Sequence, residues 1–511
     1  PDVTNINSYL SNRYNHRVFA GTDKYQGAVV NIKKQFNGPV PSWIKAGLRV
    51  RKQDRNLFND QYSWNYIGPD GVMGINPATG RNDDNLAQFV QPGIIRWGKL
   101  DRYALLPWLT RPGADTYYDT YDYSGYNFAT ALREHPQYFR EDVALSTMTK
   151  LNNRQQFQET INAGYLMGNV ELGKLRVLGG LRVEETKVEA EGAKNEITPA
   201  EAALRAAFVG PLTEAEIRRR NTAQYSGRLT AAGDYRKIFP GLHFKYEPIR
   251  GLLARLGYST NIGRPPIGTL IPRTTINNET RAISSSNPSL KPQTADNFDL
   301  GVEYYFEPAG LISATVFLKE MKQFIFTKGG QIVGAGPDNG FGGDYVAYTL
   351  TSQSNGGQAR VRGFELAYHQ QFTFLRGFWK AFGAYANYAR NDTYGDYGGA
   401  IATTKVAGFV PETANAGISY IRNPLSIRFQ FNYSSRRLVL VAPTPARLLY
   451  ERARSALDLK SVYKFSKNYS FFLDVTNLNS AEERAREFEG GRRGLNYNTG
   501  PLLLTGINAN Y

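Results

Sequence analysis

Hydrophobic and polar positions alternate along this chain, most clearly between Asn297 and Lys328. Phe298, Leu300, Val302, Tyr304 and Phe306 share one parity, and Asp299, Gly301, Glu303 and Tyr305 share the other. Successive strand side chains point to opposite faces, so a period of two predicts a strand with one apolar and one polar face. Glu307, Pro308, Ala309 and Gly310 predict a tight turn. A returning strand sets Ile312, Ala314, Val316 and Leu318 against Ser313, Thr315 and Lys319.

This hairpin recurs. Leu175, Val177, Leu181 and Val183 alternate with Arg176, Gly180, Arg182 and Glu184. Leu425, Ile427, Phe429, Phe431 and Tyr433 alternate with Ser426, Arg428, Gln430, Asn432 and Ser434. In a soluble sandwich the apolar parity faces a core between two sheets. In a transmembrane barrel it faces lipid, and the polar parity lines the lumen.

In chain order, residues 1–24 read as polar and irregular. Strands are expected at 25–36, 43–52, 156–171, 174–190, 225–246, 251–263 and over the hairpin above. Further strands are expected near 356–373, 378–391, 411–422, 425–434, 451–465, 469–478 and 499–511. Thr198-Pro199-Ala200-Glu201 and Thr213-Glu214-Ala215-Glu216 are capping boxes, predicting two short helices at 199–208 and 214–221. Short connections (Leu375-Arg376-Gly377, Asn423-Pro424, Ser466-Lys467-Asn468) alternate with long ones at 53–150, 190–222, 264–294, 329–355, 391–410, 435–450 and 479–498. One rim of tight turns and one of long loops is the plan of an outer-membrane barrel, with the long loops extracellular.

Composition agrees with that plan. Hydrophobic content is 41% and mean hydropathy is −0.44, as expected where half of each strand is polar. No run of roughly 18 apolar residues predicts a helical membrane span. The 33 Tyr, 28 Phe and 50 Gly suit aromatic girdles and tight turns. Cysteine is absent, which excludes disulfides and thiolate metal sites. The net charge of +16 is dispersed along strands and loops, so no nucleic-acid partner is expected.

Several segments, taken in order, resemble the barrel of TonB-dependent outer-membrane receptors. One runs Asn287-Pro288-Ser289-Leu290-Lys291-Pro292 and then Asp296 to Phe306, with Asn297, Glu303 and Tyr304 as further signature positions. Phe239-Pro240-Gly241-Leu242, Leu253 to Ser259, Arg264-Pro265, Val410 to Asn415 and Asp474 to Asn479 also match the family pattern. The terminal Tyr511, after an alternating run, resembles the signal read by the barrel assembly machinery; an ordinary final strand is the other reading. The family barrel has about 22 strands, of which about 15 are placed here. Nothing here resembles the family's plug domain or coupling box. The resemblance therefore implies the C-terminal part of a barrel over residues 25–511, with 1–24 the tail of an extracellular loop.

The resemblance implies an all-β, antiparallel transmembrane β-barrel in the outer membrane of a Gram-negative bacterium. It implies active uptake of a scarce solute, such as a siderophore or carbohydrate, coupled to TonB through the plug. A passive porin-like channel and a soluble β-rich carbohydrate-binding protein are the alternatives. No enzyme activity, cofactor or metal site is expected. The four histidines have no paired spacing, and no nucleophile elbow is present. Tyr117, Tyr118, Asp119, Tyr121, Asp122 and Tyr123 interleave carboxylates with aromatics on the longest loop. Such residues stack on sugars or aryl chelates and bind hydroxyls or calcium; a loop packed on its own tyrosines is the competing reading. The polar-parity arginines Arg176, Arg182, Arg255 and Arg428 either attract an anionic solute or form paired charges on the wall.

Overall fold

The computed structural model describes residues 12–84, 90–92, 121–123, 125–277, 279–399, 401–482, 484–497 and 500–509, with the side chains of 90–92, 121–127 and 484 outside the description. Fifteen long strands follow one another in one sheet, each paired with its sequence neighbours in the wall. They are β1 (Arg13–Phe36), β2 (Ser42–Tyr66), β3 (Gln155–Leu172), β4 (Leu175–Ala193), β5 (Arg228–Ile249), β6 (Leu252–Gly263), β7 (Gln293–Phe306) and β8 (Gly310–Lys322). Then come β9 (Gln358–Gln371), β10 (Phe382–Gly395), β11 (Glu412–Arg422), β12 (Leu425–Ser434), β13 (Arg454–Lys464), β14 (Tyr469–Thr476) and β15 (Leu502–Ala509). A short strand, Phe139–Glu141, adds to the end of β2.

The register keeps one parity on one face across the whole wall. Directly opposed residues share a face. One row runs Tyr304, Ile312, Tyr368, Ala386, Ala416, Phe431 and Leu457 from β7 to β13. Another runs Val30, Leu48, Gly164, Val183 and Ile238 from β1 to β5. Large apolar side chains on this face are bare: Val30 is 64% exposed and Leu48 69%. A soluble protein rarely carries so continuous an apolar surface. The opposite parity carries Arg51, Glu159, Thr186 and Tyr235, and the loops fold over it.

The predicted alternation of turns and loops is present. Short connections at 173–174, 250–251, 307–309, 423–424 and 465–468 lie on one rim. Gly251 shows why a turn there needs glycine: its φ is +82°, and a Cβ would lie 2.4 Å from the Tyr305 carbonyl oxygen. The connection at 372–381 is longer than Leu375-Arg376-Gly377 suggested and contains a 3₁₀ turn, Gly377–Ala381. The other rim carries 67–154, 194–227, 264–292, 323–357, 396–411, 435–453 and 477–501.

Three features differ from the sequence reading. First, β1 begins at Arg13 and β2 continues to Tyr66, so residues 13–24 and 53–66 are ladder, paired from Arg13↔Asn65 inward, and not irregular chain. Around Asp23, Lys24, Asp54 and Arg55 both faces are polar, which interrupts the alternation signal. Second, the connection after β2 holds two helices, α1 (Gly125–Glu134) and α2 (Val143–Asn152). Asp142 caps α2, accepting from Leu145 N at 3.0 Å. Third, loops pair with loops. Thr274–Asn277, Ala282–Ser285, Thr349–Asn355 and Ile325–Ile332 form one four-stranded sheet, and Arg437–Leu440, Leu449–Glu451, Arg484–Phe488 and Arg493–Tyr497 form another.

The predicted helices are α3 (Pro199–Ala207) and α4 (Glu214–Tyr225). Both threonine N-caps are formed: Thr198 Oγ1 accepts from Glu201 N and Thr213 Oγ1 from Glu216 N, each at 3.2 Å, while the two Glu carboxylates accept from Arg205, Arg219 and Arg220.

Candidate functional site

The inner face of β2 to β5 is laid out in rows by the register. Arg51, Ile161, Thr186 and Tyr235 form one row, and Gln53, Glu159, Val188 and Gly233 the next. Phe157 and Ala190 lie one row further along. The connection after β6 folds onto these rows. Its short helix Ile267–Leu270, with Ile271 and Leu290, buries Phe157, Val188 and Ala190 in one apolar cluster.

A charged network borders that cluster. Arg51 pairs with Glu159, and Arg182 with Glu184 at 2.6 Å. Arg264, at the start of the inward loop, reaches Glu184 at 2.6 Å and Glu159 at 3.7 Å. Glu159 is buried, so its charge depends on Arg51 and Arg264 for the solvation it has lost. Beside the network lies a cavity of about 660 Å³, lined in part by Arg51, Glu159, Asp234, Lys237, Arg264 and Pro288. The Nε–H groups of Arg51 and Arg264 have no acceptor among the described residues. The site is therefore a cavity beside a buried ion-paired network, its wall carrying both signs of charge.

The signature residues build this region. Leu290 is in the apolar cluster. Asn287 donates to the Gln353 carbonyl at 3.0 Å and accepts from Ser289 N at 3.1 Å, fixing the turn before it. Pro288 lines the cavity, as does Pro292. On β7, Asn297 donates to the Ser259 carbonyl at 2.9 Å. Glu303 accepts from Arg255 at 3.0 Å and from the Tyr305 hydroxyl at 2.7 Å. Tyr304 is on the bare apolar face.

Three of the four polar-parity arginines are ion-paired: Arg176 with Glu171 at 2.7 Å, Arg182 with Glu184, and Arg255 with Glu303. These pairs are the wall arrangement that the sequence reading offered as one of its two alternatives. Tyr117, Tyr118, Asp119 and Tyr511 lie outside the described residues. Tyr121–Tyr123 form a short strand opposite Val90–Pro92, with Asp122 facing Gln91, and their side chains lie outside the description. The residues not anticipated are Arg51, Glu159 and Arg264. Strand parity marks Arg51 and Glu159 as inward, but only the loop's return brings Arg264 to them.

Charges outside the wall are paired as well. Arg219 and Arg220 hydrogen-bond Glu216 and hold its carboxyl down at about 2. Arg219 and Arg205 do the same for Glu201, lowering it from the ordinary carboxylate range. Burial lowers Arg273 in the inward loop, where it donates to Asn153 at 3.0 Å.

Residues 2–478 match the family described as TonB dependent receptor-like, beta-barrel. The chain belongs to that family. Among solved structures, the TonB-dependent fold is matched in the ferric-catecholate import receptor Fiu from E. coli, at 14% identity and TM-score 0.53 over 96% of this chain and 55% of that one. The siderophore receptor PiuA from Acinetobacter baumannii matches at 13% identity and TM-score 0.53, over 96% of this chain and 56% of that one. The ferric citrate transporter FecA matches at 12% identity and TM-score 0.53, over 96% of this chain and 55% of that one. This chain thus spans little more than half the length of these structures. No curated protein matches the sequence. As a TonB-dependent receptor barrel, the chain presents its bare apolar face to lipid and its charged rows to the lumen.

Proposed function

We propose that this barrel is the wall and outer loops of an outer-membrane receptor that takes up a scarce solute by TonB-coupled transport. Family membership supports the class, and one observation carries the reading further. The lumen face is an ion-paired surface whose inward loop leaves a cavity of about 660 Å³ lined in part by Arg51, Lys237 and Arg264. These cationic side chains suit an acceptor-rich solute, such as a siderophore carrying carboxylates or catecholates, or a carbohydrate. The same surface is a seat for a plug domain, whose backbone carbonyls would accept from Arg51 and Arg264. The tyrosine- and aspartate-rich segment at 117–123 is assigned to solute capture on the outer rim, and Tyr511 to barrel assembly.

In this reading the long connections at 67–154, 194–227, 264–292, 323–357, 396–411, 435–453 and 477–501 face the cell exterior. A cysteine introduced at Ala78 should label on intact cells, and one at Lys467 only after lysis. The reverse pattern would invert the topology. Transport is tested with the full-length gene product in cells with and without TonB, measuring uptake of ferric siderophores as sole iron source. Equal growth without TonB would favour the passive channel.

A further inference from the structure

The connection leaving β2 carries a second concentration of charge, remote from the lumen network. It doubles back on itself between Ile67 and Asp84, with an isolated bridge between Ile75 and Asn82. Asp70, Asp83 and Asp84 each bring a carboxylate oxygen to within 4.8 Å of the others. Asp84 is only 5% exposed.

The three carboxylates are used in the same divided way. One oxygen of each is held by the loop's own donors. Asp70 Oδ1 accepts from Val72 N at 3.2 Å, Asp83 Oδ2 from Asn76 Nδ2 at 2.9 Å, and Asp84 Oδ2 from Gly74 N at 2.5 Å. The other oxygen of each (Asp70 Oδ2, Asp83 Oδ1 and Asp84 Oδ1) is buried, and no donor among the described residues reaches it. Three carboxylates this close repel one another, and the three oxygens without a donor have lost their water with nothing in return. A cation between them removes both costs. Gly68 keeps that space open: its φ is +69°, and a Cβ would lie 3.3 Å from Asp83 Oδ1 and 3.4 Å from Asp70 Oδ1.

We propose that Asp70, Asp83 and Asp84 hold a calcium ion that ties the two arms of this loop together. The ligand set is all hard oxygen, with no nitrogen or sulfur, which selects Ca²⁺ or Mg²⁺ over zinc and copper. Calcium accepts irregular shells completed by carbonyls and water, whereas Mg²⁺ demands near-octahedral geometry and keeps its waters. A glycine-rich loop supplying three carboxylates fits calcium.

The test uses the whole protein in detergent, stripped with a chelator and titrated with CaCl₂ alone. Calorimetry should show a single saturable site that equimolar MgCl₂ does not displace. Exposed Arg81 lies between the two arms, so calcium should slow tryptic cleavage there. Asp83→Asn and Asp70→Asn should each weaken calcium binding by roughly tenfold or more, because affinity follows ligand charge. Both variants should keep the cleavage rate of the stripped wild type without calcium, which separates lost metal from a misfolded loop. Unchanged calcium binding in both variants would overturn the site. So would displacement by equimolar Mg²⁺.

Discussion

Arg264 Nη2 lies 2.6 Å from Glu184 Oε2, joining residues 80 positions apart. The contact fastens the first residue after β6 to the inner face of β4, and it sets where the inward loop begins. Glu184 is 13% exposed at its side chain and Arg264 27%. Arg264→Ala would leave Glu184 and Glu159 short of a partner in a poorly solvated place. The expected loss is about 1–3 kcal/mol, below the cost of breaking a fully buried pair. Reversible urea unfolding in detergent micelles measures it. An Arg264→Ala, Glu184→Gln double variant should lose less than the two single losses added together. Strict additivity would mean that the pair is not coupled.

Leu290 is the second fastening. It packs with Phe157, Ile271 and Val188 over the inner face. Leu290→Ala should cost about 2–4 kcal/mol through lost burial and the void left behind. The cost falls on the loop's docking to the wall, so the residues at 264–292 should become protease-sensitive while the wall's ladder stays protected from hydrogen exchange. Loss of wall protection instead would show that the loop and wall unfold as one unit.

The period-two pattern made the wall legible. Phe298, Leu300 and Val302 alternate with polar neighbours because one face meets lipid, and fifteen strands in sequential order followed from repeating that rule. It failed where the reason for alternation stops. Asp23, Lys24, Asp54 and Arg55 continue the β1–β2 ladder, yet both faces are polar there. The pairing of Ile325–Ile332 with Thr349–Asn355 is a loop-on-loop contact, and no local pattern announces it. The site was half legible. Parity placed Glu184 and Arg182 inward together, but the approach of Arg264 depends on how a loop folds back. In the same way Asp70 is separated in sequence from Asp83 and Asp84, and only the doubled-back chain brings them together.

The α3–α4 pair carries an acid-sensitive clasp. Arg219 and Arg220 hold Glu216 at about 2, below the ordinary value of about 4.3 for an unfolded Glu. A lowered folded-state value means that Glu216 adds stability in full above the unfolded value. The contribution fades as pH falls from there through about 2. Wild type should therefore resist pepsin within 197–226 better than Glu216→Gln near the upper end of that window. At the lower end the two should be cut alike. A difference that persists below the folded value would mean that the ion pairs are not its source.

Phe429 and Gln430 test the assignment of faces. Phe431 belongs to the apolar row that runs from Tyr304, and Phe429 shares its parity, opposite Ile418 and Leu459. Gln430 is on the other parity and donates to the Tyr385 hydroxyl at 2.5 Å. An arginine on the lipid face near the membrane midplane costs about 2–4 kcal/mol, whereas the lumen tolerates charge. Phe429→Arg should destabilise the barrel by that amount in reversible unfolding from lipid vesicles. Gln430→Arg should cost about 1 kcal/mol, the price of one hydrogen bond. Phe429→Leu should cost little, because lipid accepts either apolar side chain, so a large loss there would point to packing and not to the bilayer. Equal losses for the two arginine variants would remove the basis for calling either face the lipid one.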